Sequence, residues 1–218
     1  MEKLYSVIPK KYEKHIKDAA IKAGVSEDFI RHLIFTEGDA KTKEAILLPY
    51  YCKNGVLTVG FGHTNLTDNA QKGNKVTEGE AITLEQAFDY LVADIKEHKK
   101  YVESFIGEKF KTLDSSVQEG LIDHSFQAGQ KEFLGANIKA NIEQGITTAV
   151  VARNLWTDTD IRRSAMRFLM AAKSMSKEDQ IDAKKRFENL GHYNEVINYF
   201  YGQEKRNFIN AYNSLGKD

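Results

Sequence analysis

Glu37 stands before Gly38 at the end of an amphipathic run, and a cluster of β-prone, glycine-punctuated residues follows that contains Cys52, Thr58 and the run Val59-Gly60-Phe61-Gly62-His63-Thr64. A carboxylic acid closing a helix can give up a proton. A polar pair six residues apart on a hairpin can hold a water molecule. Together these are the parts needed to hydrolyse a glycosidic bond: an acid for the leaving oxygen and, in an inverting enzyme, a group on the opposite face of the sugar for the attacking water. Glu37 is the expected acid, with Glu44 the rival because it lies nearer Cys52 but lacks the following glycine. An isolated glutamate in that position would read as a solvated helix end; the cluster after it selects the catalytic role. Cys52 stands where a carboxylate would be the stronger base, and an ordinary thiol with a pKa of about 8.5 is largely neutral at pH 7, so its expected part is to orient water. A buried small hydrophobe is the alternative. Thr58 offers a hydroxyl to the same water, or is simply a strand former. His63 reads as a structural histidine joining hairpin to helix, and Gly60 and Gly62 as points of close backbone approach.

The elements that must position these residues are mostly helical. Pro9 and Pro49 are the two prolines, and most of the chain has apolar residues at helical spacing, so the fold class is mainly α with a minor β element. Residues 11–23 predict a lysine-rich amphipathic helix stopped at Gly24; Ser26 with Glu27 and Asp28 caps a second, whose buried face is Phe29, Ile30, Leu33 and Ile34. Residues 47–64 predict a small antiparallel hairpin turning at Lys53-Asn54-Gly55. Thr83-Leu84-Glu85-Gln86 is a capping box that opens a long helix to about residue 105, long enough to link two lobes. Further helices are expected at about 114–127, 136–144, 147–156, 160–174, 177–190, 194–201 and 203–214, with glycines at the breaks.

The chain has 218 residues, enough to bury a core without disulfides or metal. Its 31 basic and 31 acidic residues balance, which removes the simplest argument for a nucleic-acid or anionic-membrane partner. One cysteine excludes an internal disulfide and a cysteine-based zinc site, and the histidines show no metal-ligand spacing, so neither metal nor cofactor is expected. The first residues lack the apolar core of a signal peptide and no stretch is apolar enough to insert in a membrane, so the expectation is synthesis in the cytoplasm and a monomer.

Cys52, five further residues and Thr58-Val59-Gly60-Phe61-Gly62-His63, after a Glu-Gly pair, resemble the motif of the phage-type lysozymes, the family 24 glycoside hydrolases. Ile82-Thr83 with Ala87, Leu91 and Asp94-Ile95 is similar to the start of that family's inter-lobe helix. Leu121 to Gly129 with Phe133 is similar to its substrate-facing segment, and Trp156 with Arg162-Arg163 to the segment that supplies a guanidinium. The resemblance covers about residues 26–172. It implies a two-lobed lysozyme-like domain over 26–175, a helical extension at 1–25 and another at 176–218 packed on the domain. It also implies cleavage of the β-1,4 bond between N-acetylmuramic acid and N-acetylglucosamine in bacterial peptidoglycan. Glu37, Cys52 and Thr58 are the implied catalytic residues; Thr64, Phe126, Gln127, Gly129 and Arg162 are the implied substrate contacts, with Arg163 the alternative guanidinium and a core role open for Phe126. Release by a holin, or export by a secretion machine with an immunity protein as partner, would bring such an enzyme to the wall. A muramidase-like binding or scaffold protein is the alternative. One departure is clear: fourteen residues separate Glu37 from Cys52 where the family has eight, which places an insertion within residues 39–46.

Overall fold

Pro9 cannot extend a helix backwards, and the chain enters its first helix there through a 3-10 turn at Lys10–Tyr12. This is a computed structural model, and it describes residues 5–39, 41–66, 73–133, 137–157 and 159–217. Those residues divide into two compact units, residues 5–100 and residues 101–217.

In the first unit α1 (Glu13–Ala23) ends at Gly24, whose φ of 65° lets its N–H close back on the carbonyls of Ala20 and Ile21. Ser26 caps α2 (Glu27–Glu37) by accepting from the Phe29 N–H at 3.0 Å. Ile16, Ala19 and Ala20 of α1 and Phe29, Ile30, Leu33 and Ile34 of α2 form one buried seam, each large side chain stabilising the unit by roughly 1.5–3 kcal/mol. Three antiparallel strands follow in the order β1-β2-β3: β1 (Ile46–Tyr51), β2 (Leu57–Gly60) and β3 (His63–Thr64). The expected hairpin is therefore a three-stranded sheet. The third strand is two residues long and leaves no periodicity to detect. Thr83 and Gln86 bond reciprocally, Gln86 Oε1 accepting from the Thr83 N–H at 2.8 Å and Thr83 Oγ1 from the Gln86 N–H at 3.1 Å, and so start α3 (Leu84–Ile106). The division between the units falls inside α3, after Lys100.

The second unit is helical throughout its described residues. After a 3-10 turn at Gly107–Thr112 come α4 (Ser115–Phe133) and α5 (Ile138–Glu143). Next is α6 (Thr147–Ala149), running into a π turn at Val150–Asn154, then α7 (Ile161–Ala172). The chain closes with α8 (Lys177–Asn189), α9 (His192–Tyr199) and α10 (Gly202–Ser214). Gly129, with φ 74° and ψ 161°, breaks α4 into two helical stretches. Gly120 allows α4 and α7 to touch, since a Cβ there would lie 2.9 Å from Leu155 Cδ1 and 3.0 Å from Ala171 Cβ. The C-terminal helices pack on α7 through aromatic rings: Phe168 stacks on Phe187 at 4.0 Å, and Tyr212 lies 6.0 Å from Phe187. Trp156 stacks on His192 at 4.1 Å.

Candidate active site

Glu37 is the last residue of α2, and Gly38 ends the helix with its N–H still bonded to the Ile34 carbonyl at 2.9 Å. A Cβ at position 38 would come within 2.5 Å of that oxygen and 3.0 Å of the Lys43 backbone, so a side chain is excluded there by the returning chain. A carboxylate in the last turn works against the helix dipole, an arrangement stability alone would not select. The glycines at the turn between β2 and β3 complete the setting. Gly62 has φ 90°, and a Cβ on it would lie 3.2 Å from Glu37 Oε2. The Glu-Gly pair and the Gly-x-Gly run are thus two sides of one contact.

The sheet presents the polar residues in a row. Tyr50 pairs with Thr58 and Thr58 with Thr64, and residues directly opposite share a face. Cys52 lies just past β1, its N–H bonded to the Val56 carbonyl at 3.0 Å, with the Gly55 N–H closing the turn on the Cys52 carbonyl at 2.9 Å. Backbone N–H groups of Asn54 and then Val56 hold the thiol below its ordinary pKa. Thr58 is buried and donates to the Val56 carbonyl at 2.9 Å. Burial first, then the negative charges of Cys52 and Glu37, raise the Tyr50 phenol. Tyr50 therefore sits within electrostatic reach of both. It is the neighbour that sequence reasoning missed, and its place two residues before Cys52 on the same strand face was the available signal.

His63 joins the sheet to α3. Its Nδ1 lies 2.9 Å from Asp94 Oδ2 and its Nε2 2.8 Å from the Asn74 carbonyl oxygen, and the ring is 1% exposed. Burial lowers its pKa, but the bond to Asp94, that carboxylate's charge and the Asn74 carbonyl together outweigh it, so the net shift is upward. With acceptors at both nitrogens the imidazolium is the satisfied form.

The other sequence-derived residues lie in the second unit, around a buried ionic cluster. Asp123, fully buried, accepts from Arg163 Nη2 at 2.6 Å and Arg167 Nε at 2.5 Å. Arg167, also fully buried, donates to the Leu155 carbonyl at 2.7 Å and to Gln127 Oε1 at 2.5 Å. Thr157 Oγ1 donates to the same Gln127 oxygen at 3.3 Å, so that oxygen is committed and the amide NH2 is the group Gln127 can offer a sugar. Arg163 lies over the Phe126 ring at 5.9 Å. Arg162 turns to α10, its Nη2 donating to Glu204 Oε2 at 3.1 Å. His124 is driven down to about 4, by burial first and then by the Arg167 charge. Asp123 and Arg167 were not singled out from sequence. Arg163 and Arg167, four apart on one side of a helix whose later residues are mostly apolar, were the signal for a buried carboxylate.

A helix-end glutamate thus lies against a glycine beside a small three-stranded sheet, in a mainly α chain. The phage lysozyme family model matches residues 41–167, more than half of the chain, and the chain belongs to that family. No curated protein matches it in sequence. Family membership makes it a lysozyme in general terms, a glycoside hydrolase acting on peptidoglycan. The matched span contains Cys52, Thr58, Thr64, Phe126, Gln127, Gly129 and Arg162; Glu37, α1, α2 and α8 to α10 lie outside it.

Proposed function

We propose that the protein is a muramidase that cleaves the β-1,4 bond between N-acetylmuramic acid and N-acetylglucosamine, and so lyses bacterial cell wall. The observation that carries this reading is the Glu37 carboxylate lying against Gly62, in the unit whose sheet bears Cys52 and Thr58. Glu37 protonates the leaving glycosidic oxygen. On the other face of the sugar a water adds to the anomeric carbon as the bond breaks, in an inverting course. Thr58, its hydrogen engaged by Val56, accepts a hydrogen bond from that water, Cys52 helps to orient it, and the proton it releases passes to solvent. Thr64, Phe126, Gln127, Gly129 and Arg162 are the proposed glycan contacts, Arg162 being held by Glu204. The route to the wall is holin-assisted release or dedicated secretion. No helix among the described residues is long and apolar enough to cross a membrane. Mass spectrometry of products from purified peptidoglycan tests the assignment: new reducing N-acetylmuramic acid ends support it, and reducing N-acetylglucosamine ends or free stem peptides contradict it.

A further inference from the structure

Two departures of this chain, the insertion after Glu37 and the helix that precedes the family-like region, meet in the structure. The inserted stretch is tightly built. Asp39 Oδ1 accepts from the N–H groups of Lys41 and Thr42, both at 2.9 Å, and from Thr42 Oγ1 at 3.1 Å. The Lys43 N–H bonds the Asp39 carbonyl at 2.9 Å, and the Asp39 N–H bonds the Glu44 carbonyl at 2.9 Å. Lys43 is 8% exposed, with its ammonium 4.6 Å from the Phe35 ring centre, and it holds φ at 56°, a conformation a non-glycine residue keeps only where its surroundings impose it.

The end of this stretch is anchored on the 3-10 turn that leads into α1. The Ala45 N–H donates to the Tyr12 hydroxyl at 3.1 Å, and Lys11 pairs with Glu44 at 2.5 Å. The Lys11 pair is exposed and contributes little. Tyr12 is different: it is 2% exposed and its ring meets Phe61 edge-on at 6.2 Å and Phe88 at 5.4 Å. Phe61 immediately precedes Gly62, the residue against the Glu37 carboxylate, while Lys43 is the residue whose backbone abuts Gly38. Tyr12 therefore bears on Glu37 from two directions, through its hydroxyl and the inserted stretch on one side and through its ring and the sheet on the other.

We propose that Tyr12 is a positioning residue for Glu37, and that the 3-10 turn leading into α1 serves as a brace by which the longer connection holds the acid in place. This rests on the muramidase reading, and the experiment separates the two. Tyr12→Phe in the full chain keeps the ring packing and removes only the hydroxyl. The assay measures kcat and KM on soluble peptidoglycan fragments, the pH profile of kcat, the melting temperature, and amide hydrogen exchange at Ala45 and Lys43. The expected result is kcat lowered about tenfold, as sub-ångström misplacement of a catalytic group produces. KM stays within twofold, the alkaline limb of the kcat profile, where a general acid loses its proton, shifts, and exchange at Ala45 and Lys43 rises at least tenfold. Unchanged kcat despite faster exchange overturns the proposal, as does a loss of kcat that follows only the loss of folded protein. If the wild-type protein shows no turnover the muramidase reading fails by itself. The brace is then judged on whether the Glu37 side-chain carboxyl resonance moves in Tyr12→Phe, and an unmoved resonance overturns it.

Discussion

Replacing Asp123 by asparagine should be among the most damaging near-isosteric changes in this protein. The carboxylate is fully buried, as is Arg167, and Arg163 is 5% exposed, so both guanidinium groups pair with this carboxylate with almost no solvent to replace it. Asparagine keeps the shape but leaves two buried cations with a neutral partner, and breaking a buried ionic set in this way costs about 3–5 kcal/mol. For a chain of this length each kcal/mol lowers the melting temperature by about 2–4 °C, so a fall of about 6–20 °C follows. The assay is denaturant unfolding at pH 7 followed by near-ultraviolet circular dichroism. A companion variant isolates the electrostatics: Arg167→Met removes the charge that helps hold His124 near 4, so the His124 titration followed by NMR should move upward from that value. A destabilisation by Asp123→Asn below 1 kcal/mol, together with an unmoved His124, would refute the picture of a dry, tightly coupled cluster.

Stability should fall on both sides of a maximum near the ordinary histidine pKa. His63 has a folded pKa above its unfolded value, so its contribution is complete below about pH 6.5 and disappears as pH rises through the folded pKa. His124, at about 4 when folded, is protonated more readily when unfolded, and its contribution of about 3 kcal/mol is lost as pH falls from about 6.5 to about 4. His63→Gln should flatten the alkaline side of the unfolding profile and His124→Asn the acid side; profiles parallel to wild type would exclude both assignments. Gly62→Ala forces a Cβ to 3.2 Å from Glu37 Oε2 at a φ of 90°, and should reduce wall lysis at least tenfold while peptidoglycan binding persists. If Cys52 places the attacking water, Cys52→Asp should retain activity and Cys52→Ala should lower it, measured as turbidity loss, and full activity in both variants, equal to wild type, would remove Cys52 from the site.

Much of the fold was legible because it rests on local chemistry. Gly24, Ser26 and the Thr83-Gln86 box end or begin helices by satisfying backbone groups within four residues, and such signals survive in sequence. The π turn at Val150–Asn154 was expected as plain helix, because its apolar spacing over so few residues matches either form. Glu37 and the hairpin could be singled out by residue type and spacing. What that order withheld is what comes from distant chain: the approach of Gly62 to Glu37, the placing of Tyr50 near both Glu37 and Cys52, and Asp123, which on a helical wheel is one more polar residue until α7 brings two arginines to it. Arg162 was preferred over Arg163 in sequence, but what separates them is distant chain: Glu204 on α10 holds Arg162, while Asp123 on α4 holds Arg163.

The most direct test of the central claim compares the wild-type protein with Glu37→Gln on purified peptidoglycan, following turbidity loss and, in parallel, pelleting with the wall. The substitution removes a transferable proton, keeps the shape and relieves an unfavourable charge at a helix C-terminus, so the variant should fold at least as stably as wild type. Lysis by wild type that falls at least a hundredfold in Glu37→Gln, with undiminished pelleting, is the predicted result. Lysis persisting in the variant would contradict the assignment of Glu37 as the acid, and pelleting without lysis by the wild-type protein would contradict the muramidase itself.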